Sequence, residues 1–338
     1  MVRTGWSATP MVVAGSTPER SAAFNLLVCG PQGGRIDRWG RAVAQGLASA
    51  IAVHQPIGLH AVGGEDGVTG ANRLQALVIP DGRTAAILPN AAIIAFLAGD
   101  TRVHFQIGDW IPVMSGLNAA VLVVRGGLTR LNDPAPIKLA AASPESADLA
   151  AILAFHRLDI ATSPVFGLRG MTSVVRAFAG GEADAVLLTG EDISADIAPL
   201  AANGGVAIAT LGIDDAEGRV IADPQFPELP TVHAIATERR ARPLPTALEA
   251  AYRAVAAASR IDFLMVLPHL TTPAQVAIWR QAASGAMSAP ALQAAAAASS
   301  IELTVTGSAG AVAPFDVSSA SLLALRAFLF EHFGWRPS

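Results

Sequence analysis

FNLLVCGPQGGRIDRWGRAVAQGLASAI, residues 24–51, decides the fold. Phe24 to Cys29 is a short apolar run closed by Gly30-Pro31-Gln32-Gly33-Gly34, the mark of a strand entering a tight turn. Beyond it Asp37 stands as a helix cap, and Trp39, Val43, Leu47 and Ala50 or Ile51 recur at the spacing that places them on one helical face. The same order returns at once. Ile57 to Val62 reads as a strand, Gly63-Gly64-Glu65-Asp66-Gly67 as a loop, Thr69 to Val78 as a helix, Pro80-Asp81-Gly82 as a turn and Thr84 to Leu88 as a third strand. Strands alternating with helices at this interval build a parallel sheet through right-handed crossovers.

Farther along, an extended run from Val113 to Val124 leads through Arg125-Gly126-Gly127 into a second series. Strands are expected at Ile137 to Ala142, Ala185 to Leu188 and Val206 to Leu211, with helices at Ala147 to Leu158 and Met171 to Ala179. The later chain predicts helices at Thr246 to Ser259, Pro273 to Met287, Pro290 to Ser299 and Val317 to Phe333, and strands at Phe263 to Leu267 and Ile301 to Val305. At 338 residues the chain has room for two α/β domains. Residues 1–20, rich in Gly, Ser, Thr and Pro and without an apolar run of secretory-signal length, read as a disordered leader remnant.

Composition removes several function classes. Hydrophobic residues make up 52%, but much of that is alanine; Thr84 to Gly99 is broken by Pro89 and Asn90, and Gln281 to Ile301 is mostly Ala, Ser, Gly and Gln. Neither is a membrane span. The balance of 23 basic to 27 acidic residues offers no broad positive field for nucleic acid. A single cysteine, Cys29, excludes an internal disulfide and a multi-thiolate zinc site. Lys138 is the one lysine against 22 arginines, so a Walker-A loop is absent, and Ala135 stands where a Ser-x-x-Lys acylase needs serine. The histidines lack metal-ligand spacing and no Gly-x-Ser-x-Gly elbow exists. No catalytic residue, metal or cofactor is therefore expected.

The chemistry rests on the two glycine loops. Such loops after parallel strands let backbone amides and the positive ends of helices converge on an anion, a carboxylate or a phosphate, although the same glycines also serve as plain turns. A dinucleotide reading is poor, because the Gly-x-Gly-x-x-Gly order is missing, Pro31 intrudes, and Ile57 to Val62 ends without an acid for a ribose. His60 sits just before the second loop, within reach of a ligand or of an ordinary hydrogen-bond partner. Cys29 reads as a buried inert thiol.

Several segments together resemble the extracytoplasmic solute-binding receptors of tripartite tricarboxylate transporters, the Bug-type proteins. Gln32-Gly33-Gly34-Arg35-Ile36-Asp37 with Arg41 resembles their first loop and helix. The second loop, Gly63 to Ala71, running to Pro80-Asp81-Gly82, is similar to theirs, as is Asp109-Trp110-Ile111-Pro112-Val113 before the extended segment. Gly180-Gly181-Glu182-Ala183-Asp184, Glu228-Leu229-Pro230-Thr231-Val232, and Phe263 to Pro268 with Thr272-Pro273 complete the order, which covers about Phe24 to Val305.

The resemblance implies an α/β, two-lobed periplasmic-binding-protein-like (type II) fold with two crossover segments. Lobe 1 would comprise residues 21–115 and 236–338, and lobe 2 residues 116–235. It implies a receptor outside the cytoplasm that closes on a small organic acid and docks on a membrane permease, with hinges around Leu117 to Arg125 and Arg260 to Leu264; a monomer is the plainer expectation. Ligand-binding residues carried over are Gln32, Gly33, Gly34, Asp37, Gly67, Thr69 and Gly70 in the first lobe, with Ser143 and Arg169 in the second. Here the second-lobe loop, Ala142 to Asp148, lacks glycine and carries two acids, which would repel a second carboxylate unless Arg169 compensates. An α/β enzyme for a nucleotide or phosphorylated substrate, and a non-binding scaffold of the same fold, are the other two readings.

Overall fold

Phe24–Val28 (β1) lies between two parallel partners, Ile57–Ala61 (β2) and Thr84–Leu88 (β3), in a computed structural model that describes residues 24–51, 56–215, 217–305, 313–315 and 317–336. The leader expected at 1–20 lies outside the described residues. Arg35–Ala50 (α1) and Val68–Leu77 (α2) make the crossovers; Trp39, Val43 and Leu47 are buried on the predicted face of α1, and Ile36 joins them. Asn90–Ala98 (α3) follows β3 and has no polar face.

The extended run expected over Val113 to Val124 is two strands in two different sheets. Ile111–Leu117 (β4) belongs to the first sheet, Asn118 and Ala119 carry the chain across, and Ala120–Arg125 (β5) enters the second. That second sheet adds Ile137–Ala140 (β6), Thr162–Val165 (β7), Ala185–Thr189 (β8) and Gly205–Thr210 (β9), in the order β7-β6-β8-β5-β9. Its helices are Leu149–Arg157 (α4), Met171–Ala179 (α5), Ile193–Ala201 (α6) and Val232–Glu238 (α7). Ile213–Asp214 (β10) and Val220–Ile221 (β11) form a separate antiparallel pair.

The chain returns through Thr246–Ser259 (α8) to Ile261–Leu267 (β12), every residue of which is buried. β12 runs antiparallel between β3 and β4. Pro273–Ala286 (α9), Pro290–Ala298 (α10), Glu302–Val305 (β13) and Ser319–Phe333 (α11) close the first lobe, whose sheet order is β13-β4-β12-β3-β1-β2. This is the two-lobed α/β architecture with two crossovers. The two passages meet where the Asn118 N–H donates to the Arg260 carbonyl at 2.8 Å.

The cores divide the molecule unevenly. Under α1, α9 and α10, Trp39 packs on Phe263 and the buried Trp279 donates its indole N–H to the Gly82 carbonyl at 2.7 Å. Under α5 and α6, Phe178, Val121, Val123 and Leu188 form a separate core. The third core is continuous through both lobes, joining Ile93, Val255 and Leu329 to Leu122, Ile152 and Phe155. The lobes are thus fused along α4, α8 and α11. They part on the opposite side, between α6 and α10, where Ser194 and Ala297 line a cavity of about 450 Å³.

Candidate functional site

Because β1 and β2 are adjacent and parallel, the loops that leave their carboxyl ends start α1 and α2 on one edge of the first sheet. In the first loop Gln32 is exposed, and Gly33 adopts φ +77°, where a side chain is strained. The Gly33 N–H donates to Asp37 Oδ2 at 2.9 Å, and Arg41 pairs with the same oxygen at 3.0 Å. Asp37 is therefore a residue of the first helical turn bonding backwards, not a cap standing before the helix. The Gly33 amide holds the Asp37 carboxyl below the usual aspartate value; burial opposes this and Arg41 assists. Gly34 donates to the Pro31 carbonyl. Among the described residues no protein group accepts the N–H of Arg35 or Ile36, two of the donors that a helix start leaves free.

The second loop is shaped by absent side chains. Gly67 caps α2 at φ +74°, and a Cβ there would lie 2.5 Å from Pro89 Cδ; one on Gly70 would overlap the Cys29 sulfur. The two glycines let the α2 terminus seat on the ends of β1 and β3. Cys29 is the buried thiol expected, its pKa pushed far up by that burial. Asp66 Oδ1 takes the Val68 N–H at 3.1 Å, whereas the N–H groups of Gly70 and the exposed Thr69 have no protein acceptor among the described residues. His60 is engaged elsewhere, with its Nε2 at 3.0 Å from Asn25 Oδ1.

In the second lobe β6, β7 and β8 are parallel, so the loops bearing Ser143, Arg169 and Gly190-Glu191 share one carboxyl edge. The Ser143 loop is closed on itself. Asp148 Oδ2 accepts the Ala142 N–H at 2.8 Å and lies 2.8 Å from Ser146 Oγ, and the Ser143 N–H points at that hydroxyl. The carbonyls of Ser146, Ala147 and Asp148 take the first amides of α4, which begins at Leu149 rather than Ala147. Burial raises the Asp148 pKa against its hydrogen bonds from Ala142 and Ser146. Arg169 is exposed just ahead of α5.

The two edges meet. Arg38 Nη2 is 3.0 Å from Glu191 Oε2, and Arg35 reaches the buried Asp262 at 3.2 Å. A Cβ on Gly190, φ +95°, would come within 2.7 Å of Arg35 Nη1. The Asn118 amide, oriented to satisfy its neighbours, accepts the Gly190 N–H at 3.0 Å. Burial raises the Asp262 pKa and Arg35 opposes it. The residues sequence reasoning missed are these bridging ones, Arg35, Arg38, Asn118, Glu191 and Asp262. One signal was present: two arginines in the first turn of a helix oppose its dipole and so call for acidic partners. No hydrogen bond or ion pair among the described residues joins Ser143 or Arg169 to the glycine loops.

Several solved structures share this fold. A TctC solute-binding protein from Polaromonas, without ligand, superposes with a TM-score of 0.65 at 15% identity, covering 93% of this chain and 99% of its own. The chain has the fold of TctC- and Bug-type solute-binding proteins. MatC from Rhodopseudomonas palustris with bound malate matches at TM-score 0.53 and 17% identity over 90% of this chain and 98% of its own. An R. palustris protein with adipate matches at 0.54 and 15%, over 93% and 96%. No protein-family model and no curated protein matches the sequence of this TctC-like fold. Among the described residues no helix is long and apolar enough to cross a membrane, and no three His, Cys, Asp or Glu side chains gather to hold a metal.

Proposed function

We propose that this chain is a receptor that captures a small organic anion between its lobes and delivers it, outside the cytoplasm, to the membrane permease of a tripartite transporter. One observation carries the reading: the unaccepted N–H groups of Arg35, Ile36, Thr69 and Gly70 lie on the sheet edge that faces Gly190 and Glu191 across the lobes. Paired helix starts of this kind favour an oxyanion. In this reading Gln32, Gly33, Gly34, Asp37, Gly67, Thr69 and Gly70 form the carboxylate seat, and Ser143 and Arg169 approach from the second lobe. The bodies that close are the two lobes expected from the sequence, with the boundary at 115/116 falling inside β4 and the one at 235/236 inside α7. Malate and adipate in two neighbours of the same fold support a carboxylate guest. The chain binds without catalysing, as a monomer.

Thermal melting of the full chain against organic acids, ATP and NAD tests this. At a hundredfold excess over Kd a ligand contributes about 2.7 kcal/mol, which raises Tm by roughly 4 °C for a chain of this size. A rise with at least one acid and none with nucleotides is expected. A rise with ATP or NAD alone assigns the loops to the enzyme reading, and no rise with anything leaves a scaffold.

A further inference from the structure

We infer that the chain has a second binding site, apart from the glycine loops, for a small uncharged molecule that is mostly apolar and carries one oxygen. The site is a cavity of about 470 Å³ beside the place where the two passages meet, and Leu117 and Ile261 of those passages line it. It shares no lining residue with the loops at Gly33, Gly67, Ser143 or Arg169, so it does not depend on the receptor reading. Its volume is about three times that of a cavity able to hold benzene. The residues around it explain why the space exists. On α8 the wall is Ala256 and Ala257, where larger side chains would fill it. Gly212, at φ +79°, lets the β10–β11 pair fold back, because a Cβ there would come within 2.5 Å of Val220 Cγ1. Ile213 and Val220 then close the cavity from the second lobe, and Leu264 and Val305 from the first.

The arginines of the wall are neutralised within the protein: Arg157 by Glu249 at 3.0 Å, Arg253 by Asp214 at 2.7 Å, and Arg260 by Asp223 at 3.0 Å. Glu302 and His233 also line the cavity, and both are exposed and without an ion pair among the described residues. No excess positive charge is left for an anion. The polar group that a guest would meet is Tyr252. It lines the cavity yet is only 6% exposed, and its hydroxyl has no hydrogen-bond partner among the described residues. Glu249 and Arg157, two other lining residues, act on that hydroxyl, and burial pushes its pKa up, so at neutral pH it is a phenol able to donate or to accept. A buried hydroxyl left unpaired is costly. An alcohol or carbonyl oxygen on the guest satisfies it, while the rest of the guest covers the apolar wall.

Fluorescence titration of the full chain at pH 7 with 4-phenylphenol, biphenyl and biphenyl-4-carboxylate tests the site. The two neutral probes should bind saturably and compete with each other, and the carboxylate should displace 4-phenylphenol at least about tenfold more weakly than biphenyl does. Tyr252→Phe should lower the ratio of 4-phenylphenol to biphenyl affinity roughly fivefold, the worth of one hydrogen bond. Without ligand that variant should melt no lower than wild type, since the hydroxyl has no partner to lose. Ala257→Trp, which fills the space from α8, should abolish binding of both neutral probes. Absence of saturable binding, a carboxylate that competes as well as biphenyl, or undiminished binding in a folded Ala257→Trp chain overturns the inference. So does an unchanged ratio or a lowered melting temperature in Tyr252→Phe, and that conservative variant decides the matter even if Ala257→Trp does not fold.

Discussion

The β1–α1 loop of the first lobe and the β6–α4 loop of the second are each closed by an aspartate that takes a backbone N–H from earlier in the loop. Beyond that they differ in every electrostatic respect. Asp37, only 4% exposed, has Arg41 beside it and its pKa lies below the usual value; Asp148 is half-buried, has no cation, and its pKa lies above. Asp37 satisfies Gly33 alone and leaves the next amides of α1 open, whereas in the Asp148 loop the amides of Ala142, Ser143, Ser146 and Asp148 are taken and those of Glu145 and Ala147 are left. The same local device thus makes a receptive edge in one lobe and a finished edge in the other. Recognition of an anion follows the amides left over, not the loop's resemblance to a binding loop.

The largest effect should come from the backbone-shaped edge. Gly70→Val places a branched side chain on the Cys29 sulfur and should cost about 3 kcal/mol or more in urea denaturation, with Cys29→Ala recovering part of it. Ser143→Ala in the opposite loop should change stability by less than about 0.5 kcal/mol, because only the Ser143 backbone is hydrogen-bonded. Equal costs at the two positions would erase the contrast.

Next is Asp148→Ala, which strands the Ala142 N–H in a partly buried loop while the Ser146 hydroxyl keeps the Ser143 carbonyl as acceptor; about 2 kcal/mol should be lost. Asp148→Asn keeps an acceptor without a charge to desolvate and should recover most of that loss at neutral pH. The pH dependence fixes the sign. With its folded pKa raised, Asp148 contributes stability below the ordinary aspartate pKa and loses it as pH rises through the raised value. Asp37, with its folded pKa lowered, contributes above the ordinary value and loses that contribution as pH falls through the lowered one. Melting curves across pH should therefore show Asp148→Asn flattening the rise side and Asp37→Asn flattening the acid side, with Asp37→Asn costing about 1 kcal/mol near neutrality.

What the sequence showed and what it hid follow from range and period. β1, α1, β2 and α2 were legible because glycine loops punctuate them and the apolar residues of α1 repeat on one face. α3 was not, since a helix apolar all round carries no helical period and merges with the strand before it. β7 was hidden by Pro164, which an edge strand tolerates and a central one does not. In α6 Pro199 disguises the helix. At the site, the loops could be read, but the pairs Arg38–Glu191 and Arg35–Asp262 span most of the chain and leave no local trace. The closure of Asp148 on Ala142 was legible only as an excess of acid, because nothing in spacing says which amide a carboxylate will take.

The smallest expected effect is the most informative about the gap itself. Arg38 is well exposed, so its ion pair with Glu191 should contribute less than about 1 kcal/mol, and Arg38→Ala should melt close to wild type. If the edges meet through water, the remaining difference should vanish as added salt shortens the Debye length to about 3 Å. A loss above about 2 kcal/mol that survives salt would mean that the pair is desolvated and the α1 edge is sealed against the second lobe. In that event the open amides of Arg35 and Ile36 face protein rather than a guest, and the contrast between a receptive and a finished edge collapses.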